Sequence, residues 1–128
     1  MFPTDLPASI RAFLARHIRS VEQLEILLLF ARAPGSVWSP KKVYDTILST
    51  PHSVERWLEE LTRNGLLEKA PDTAGSYRLS GAEEIISQTA LLAEVYRVAP
   101  VRIIEAIYRR DTIAAQSFAD AFKLKSSS

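Results

Sequence analysis

Proline and glycine divide the N-terminal part of this chain into blocks that admit only short helices and short strands. Proline has no amide hydrogen and is tolerated in a helix only at its first turn, so Ser39-Pro40 and Thr50-Pro51 read as helix starts. By the same logic Ala33-Pro34-Gly35 and Gly65 read as stops, the glycine supplying a left-handed residue after the last turn. Between these marks the apolar residues fall at helical spacing. A first helix is predicted to begin after Pro7, with Ile10, Phe13, Leu14 and Ile18 on one face, and to stop near His17. Ser20 with Gln23 three residues on is a capping-box signal for a second helix. Its face of Val21, Leu24, Leu27, Leu28 and Ala31 is widened by Ile26, Leu29 and Phe30, which places it at the centre of the core. A third helix, Lys41 to Leu48, turns Val43, Ile47 and Leu48 inward, and a fourth, Pro51 to Asn64, turns Val54, Trp57 or Leu58, and Leu61 inward.

After Gly65 the pattern becomes extended. Leu66-Leu67-Glu68-Lys69-Ala70 and Tyr77-Arg78-Leu79 flank the turn-rich Pro71 to Ser76 and predict one β-hairpin. Ser80-Gly81 leads into a helix from Ala82 to about Ala99, broken at Pro100 and followed by another from Val101 to Arg110. Phe118 and Phe122 suit a last short helix, and 126–128 a frayed tail. The expected class is therefore mainly α, with one small hairpin and additional C-terminal helices. Residues 1–19 are a helical extension, 20–80 the helix-and-hairpin unit, and 81–125 helices for packing or dimerisation. All are expected to form one globular unit, which 128 residues with 47% hydrophobic content can support around a single core.

Chemistry is constrained mostly by what is missing. The chain has no cysteine, which removes disulfides, thiolate zinc sites and thiol nucleophiles. His17 and His52 lack a second histidine at ligand spacing and read as surface or capping residues. Glu59-Glu60 and Glu83-Glu84 are adjacent pairs that point to different helix faces, unlike a shared acid/base site. No nucleophile-elbow pattern surrounds a serine, and the four glycines stand singly at element boundaries, so no phosphate loop is available. No catalytic residue, metal or cofactor is expected. The longest dense apolar run, Ile26 to Ala31, is far too short for a bilayer, and the chain reads as soluble and cytoplasmic, with no membrane partner.

Helix, short helix, turn, helix and hairpin, in that order, is the plan of a winged helix-turn-helix. The segment Thr50-Pro51-His52-Ser53-Val54-Glu55-Arg56-Trp57-Leu58-Glu59-Glu60-Leu61-Thr62-Arg63-Asn64-Gly65-Leu66-Leu67 resembles the recognition helix and first wing strand of bacterial transcriptional regulators of the broad MarR-like kind. The resemblance covers roughly Val21 to Leu79. It implies double-stranded DNA as the partner, with the start of the fourth helix in the major groove and Lys41, Lys42, Ser53, Arg56, Arg63 and Arg78 as the contacting residues. Charge argues for a local stripe only, because 16 basic residues face 15 acidic ones, and Ser36 to Ala82 is balanced at six of each sign. Glu55, Glu59 and Glu60 depart from the pattern, since carboxylates beside phosphates weaken binding unless paired. The alternative is a winged helix that binds a protein, a non-catalytic adaptor whose partner occupies the acidic helix.

The C-terminal helices carry more apolar residues than a small winged core should need. Leu91, Leu92, Val95, Tyr96 and Val98 precede Pro100, and Val101, Ile103, Ile104, Ile107 and Tyr108 follow it. Ile104, Ile107 and Tyr108 share one helical face, while Ile103 lies off it. One face can dock on the domain, and the other is assigned to a homodimer through Leu92, Tyr96, Ile103, Ile104, Ile107 and Tyr108. Arg102 and Arg109 would flank that interface, facing Glu94 or Glu105 at its rim. The competing assignment is that the N-terminal helix, with Phe13 and Leu14, covers the second face within the same chain.

Overall fold

The computed structural model describes residues 6–109. Over them the order is α1 (Ala8–His17), α2 (Val21–Arg32), α3 (Pro40–Ile47), α4 (Pro51–Arg63), β1 (Leu67–Lys69), β2 (Tyr77–Leu79), α5 (Glu83–Val98) and α6, residues 100–109. The caps follow the punctuation of the sequence. Ser20 Oγ accepts the Gln23 amide at 3.0 Å, Ser39 Oγ that of Lys42 at 3.1 Å, and Thr50 Oγ1 that of Ser53 at 3.4 Å. Each bond satisfies an amide that a helix start leaves without an internal acceptor. Pro40 and Pro51 take the first helical positions of α3 and α4. At the end of α4, Gly65 adopts φ +81° so that the Leu66 amide can return to the Leu61 carbonyl at 3.0 Å.

The hairpin is antiparallel, with Leu67 opposite Leu79, Glu68 opposite Arg78 and Lys69 opposite Tyr77. Its base is fastened to the helices by Trp38, which exchanges backbone bonds of 2.9 and 2.8 Å with Tyr77 across the sheet edge. The tilted Phe30 ring stands 6.0 Å from the Trp38 ring.

One hydrophobic cluster joins all of these elements. α2 is its axis, with Leu24, Ile26, Leu27 and Phe30 fully buried, and it packs on α3, α4, α5 and β2. Each such side chain stabilises the fold by about 1.5–3 kcal/mol over its exposed state. On α4 both Trp57 and Leu58 are buried beside Val54 and Leu61, so the two inward alternatives are satisfied together. α1 contributes Ile10, Phe13 and Leu14 to the same cluster and packs on α5.

Three expectations are corrected. Leu48 does not face inward: α3 ends one residue earlier, and Leu48 makes the left-handed turn at φ 57°, ψ 49° with 90% of its surface exposed. His17 is not a plain surface residue, because its ring packs 4.9 Å from that of Phe13 and its Nδ1 is buried with no hydrogen-bond partner among the described residues. Burial, and then the neighbouring Arg16 charge, hold its imidazole below the usual histidine range. On α6 the inward pair is Ile103 and Ile107, four residues apart, and Leu92 of α5 is equally buried. These three side chains therefore pack in the chain's own core and not on its surface. The helix turns its Ile103 edge to the core because α1, α5 and α6 share that cluster, leaving Ile104 partly covered and Tyr108 exposed. The proposed last helix around Phe118 and Phe122 and the tail lie outside the described residues.

Candidate nucleic-acid interface

α4 has two unlike faces, and the reason is its spacing of residue types. Val54, Trp57, Leu58 and Leu61 lie inward, and the residues between them present His52, Glu55, Arg56, Glu59 and Arg63 to solvent as one stripe. Glu60 does not belong to that stripe. Its side chain is only 16% exposed, and it reaches back to the start of α2. One oxygen meets the Arg19 guanidinium at 3.3 Å and the other accepts the Gln23 side-chain amide at 3.1 Å. Of the three acids that set this helix apart from its resemblance, one is therefore paired and turned away. Glu55 and Glu59 remain outward, near enough to the wing for their charge to add to burial in raising the Tyr77 phenol above its ordinary range.

The six residues expected to meet DNA fall into two groups. Lys42, Arg56 and Arg63 are exposed and make no ion pair among the described residues. Lys42 holds its ammonium 4.6 Å from the Trp38 ring, and Arg56 lies 5.1 Å from that of Trp57, cation–π contacts that leave the outer side of each cation open. The others have partners within the chain. Lys41 donates to Asp45 at 2.7 Å, one turn along α3, and that bond raises its ammonium above the usual lysine range. Arg78 meets Glu68 across the hairpin at 3.3 Å, while the Glu68 carboxylate, accepting the Gly81 amide at 2.9 Å as well, is held below its usual range by that bond first and by Arg78 second. Ser53 donates its hydroxyl to the two Glu22 oxygens at 2.6 and 2.7 Å.

Glu22 is a polar residue that reading along the chain missed, and Gln23, marked there only as part of a capping box, does more than cap. Glu22 takes a second hydroxyl, that of Ser49, at 2.6 Å, so one carboxylate holds both the α3–α4 turn and the first turn of α4. Gln23 is fully buried. Its side-chain oxygen accepts the Arg19 amide at 2.6 Å while its nitrogen goes to Glu60. The capping box is thus shifted by one residue, because the Gln23 side chain reaches the amide before the cap instead of that of Ser20. Arg19 completes the group, its guanidinium 6.0 Å from the Trp57 ring. No local signal marks Glu22 as the partner of residues this distant in the chain.

A short helix, a turn, a solvent-facing second helix and a hairpin at its exit, flanked by helices from both ends of the chain, define a winged helix-turn-helix. Two solved structures share this arrangement. The reduced form of MarR from E. coli matches with a TM-score of 0.51 at 15% identity, over 91% of this chain and 85% of that one. A mutant MepR from a multidrug-resistant S. aureus clinical isolate matches with a TM-score of 0.50 at 13% identity, over 94% of this chain and 86% of that one. At such identities the likeness is one of fold, and the chain has the winged-helix fold of the MarR kind. No protein-family model and no curated protein matches the sequence.

Proposed function

We propose that this protein is a non-catalytic, DNA-binding transcriptional regulator. In this reading α4 is the recognition helix, its N-terminal half lies in the major groove, and the hairpin is the wing. The observation that carries the reading is the solvent stripe of α4, where Arg56 and Arg63 stand without ion pairs among the described residues and Glu60 is turned inward. Arg56 is the residue for a base edge, Arg63 and Lys42 for phosphates, and Arg78 joins them only by leaving Glu68. Lys41 and Ser53, each bonded within the chain, have smaller parts. One protomer then offers about three unpaired cations, too few for tight binding alone. A two-fold dimer doubles them, and the exposed Leu91, Val98, Val101 and Tyr108 supply an apolar surface on which two copies can meet.

The test is binding to genomic fragments over a range of salt. With about two phosphate contacts per protomer, from Arg63 and Lys42, the logarithm of the affinity should fall against the logarithm of salt with a slope of about −2 for each protomer engaged. A second reading, a protein-binding adaptor, is favoured by the in-chain partners of Lys41, Ser53 and Arg78. Salt-independent or absent DNA binding, together with a stoichiometric protein partner whose contact is lost on changing Glu55 and Glu59, would select it.

A further inference from the structure

Two adjacent residues of α2 grip α4 at two separate points. Glu22 holds Ser49 and Ser53 at the entry of α4, and Gln23 holds Glu60 seven residues further on, a helical distance of about 10 Å. The apolar contacts of Val54, Leu58 and Leu61 cannot fix that register alone, because dispersion is non-directional and a small slide exchanges one methyl contact for another. Hydrogen bonds to a carboxylate and to a buried amide are directional. Sliding α4 by one residue would leave the Gln23 amide, fully buried, and part of the Glu22 carboxylate without their partners.

We infer that Glu22 and Gln23 are positioning residues that set the axial register and rotation of the recognition helix, so that its outward stripe meets the groove already seated. The inference rests on the proposed DNA-binding reading for its consequence but not for its geometry. It also assigns Ser53 a different part from the one its place on α4 suggests: its hydroxyl orients the helix and does not read the phosphate. Glu22 touches none of the cations assigned to DNA, so losing it should alter specificity without altering the phosphate contacts.

The test uses the full chain, with Glu22→Leu, which removes both acceptors at similar volume, Glu22→Gln, which restores one acceptor, and Glu25→Gln as a control on the exposed side of the same helix. Ser53→Ala gives a milder lesion should Glu22→Leu fold poorly. Amide exchange is expected to quicken by about tenfold in the first turn of α4 in Glu22→Leu, with α5 unchanged, and to recover largely in Glu22→Gln. The affinity for a selected DNA site should fall by about tenfold while that for unrelated DNA and the salt slope stay the same. Unaltered exchange in α4, or a uniform increase across α4 and α5 alike, would overturn the inference. If α4 loosens as expected but neither the variant nor the natural chain binds DNA, the positioning stands and the DNA-binding reading fails.

Discussion

α4 and the α5–α6 pair are both half-exposed helices at the surface of one core, yet only the second leaves large apolar side chains in solvent, among its exposed charges. On α4 the apolar side chains are inward and the outward ones are His52, Glu55, Arg56, Glu59 and Arg63. On α5 and α6 the core takes Leu92, Val95, Ile103 and Ile107, and Leu91, Val98, Val101 and Tyr108 still remain outside. The first surface can attract a partner mainly by charge, and salt weakens it. The second can also do so by removing apolar area from water, and moderate salt leaves that part unchanged or strengthens it. Two partners of different kinds, engaged at once and separable by ionic strength, are what this difference leads one to expect.

The contrast is broken most severely inside α6. Ile103→Ala should cost about 2–5 kcal/mol of stability in urea unfolding, whereas Val101→Ala, two residues earlier and outward, should stay within about 0.5 kcal/mol. Equal effects would mean that the helix is not seated as described. Next, Val98→Asp with Tyr108→Ala should turn a dimer into a monomer by light scattering, with the natural chain remaining dimeric at raised salt. A monomeric natural chain at micromolar concentration would leave the apolar surface without the partner proposed for it. On the other side, Arg56→Ala should lower the affinity for a selected DNA site by about 1–3 kcal/mol, and Lys42→Ala should flatten the salt slope by about one unit, while Lys41→Ala, already paired, should do less than either. Comparable losses for Lys41 and Lys42 would contradict the in-chain pairing.

The smallest effect concerns acid. The His17 imidazole titrates below its ordinary value in the folded chain, so the unfolded chain binds its proton first as pH falls. Its contribution is complete above the unfolded value near 6.5 and declines as the solution is acidified through and below it. His17→Gln should therefore lose less stability than the natural chain between pH 7.5 and pH 5, and parallel losses would remove His17 from the account.

The helix starts were legible because caps act locally. Ser20, Ser39 and Thr50 each satisfy an amide within three residues, and Pro40 and Pro51 can occupy few other positions in a helix. The resemblance around Thr50 to Leu67 carried the class for the same reason, since one short segment sets helix, turn and strand. What escaped was set by contacts distant in sequence. Glu22 was an unremarked acid at a helix start until Ser49 and Ser53 were brought to it, and Glu60 counted against DNA until Arg19 and Gln23 turned it inward. On α6, helical periodicity identified two apolar edges but not which one α1 and α5 would cover, so Ile103 and Ile107 were assigned to the wrong side.

The bridge between Trp38 and Tyr77 also bears on the order in which the chain can assemble. It joins the strand-like stretch before α3 to the strand that follows the wing turn, so α3 and α4 lie within one closed loop. Closing a loop costs entropy that grows only slowly with its length, and it must be met before the long-range Trp38–Tyr77 bonds can form. The two short strands would be marginal as a free hairpin, and the Trp38 bonds tie them to the rest of the fold. The wing base is in this sense a clasp. While it holds, the helix-turn-helix and the hairpin should open as a single cooperative unit, and the wing should not peel away alone.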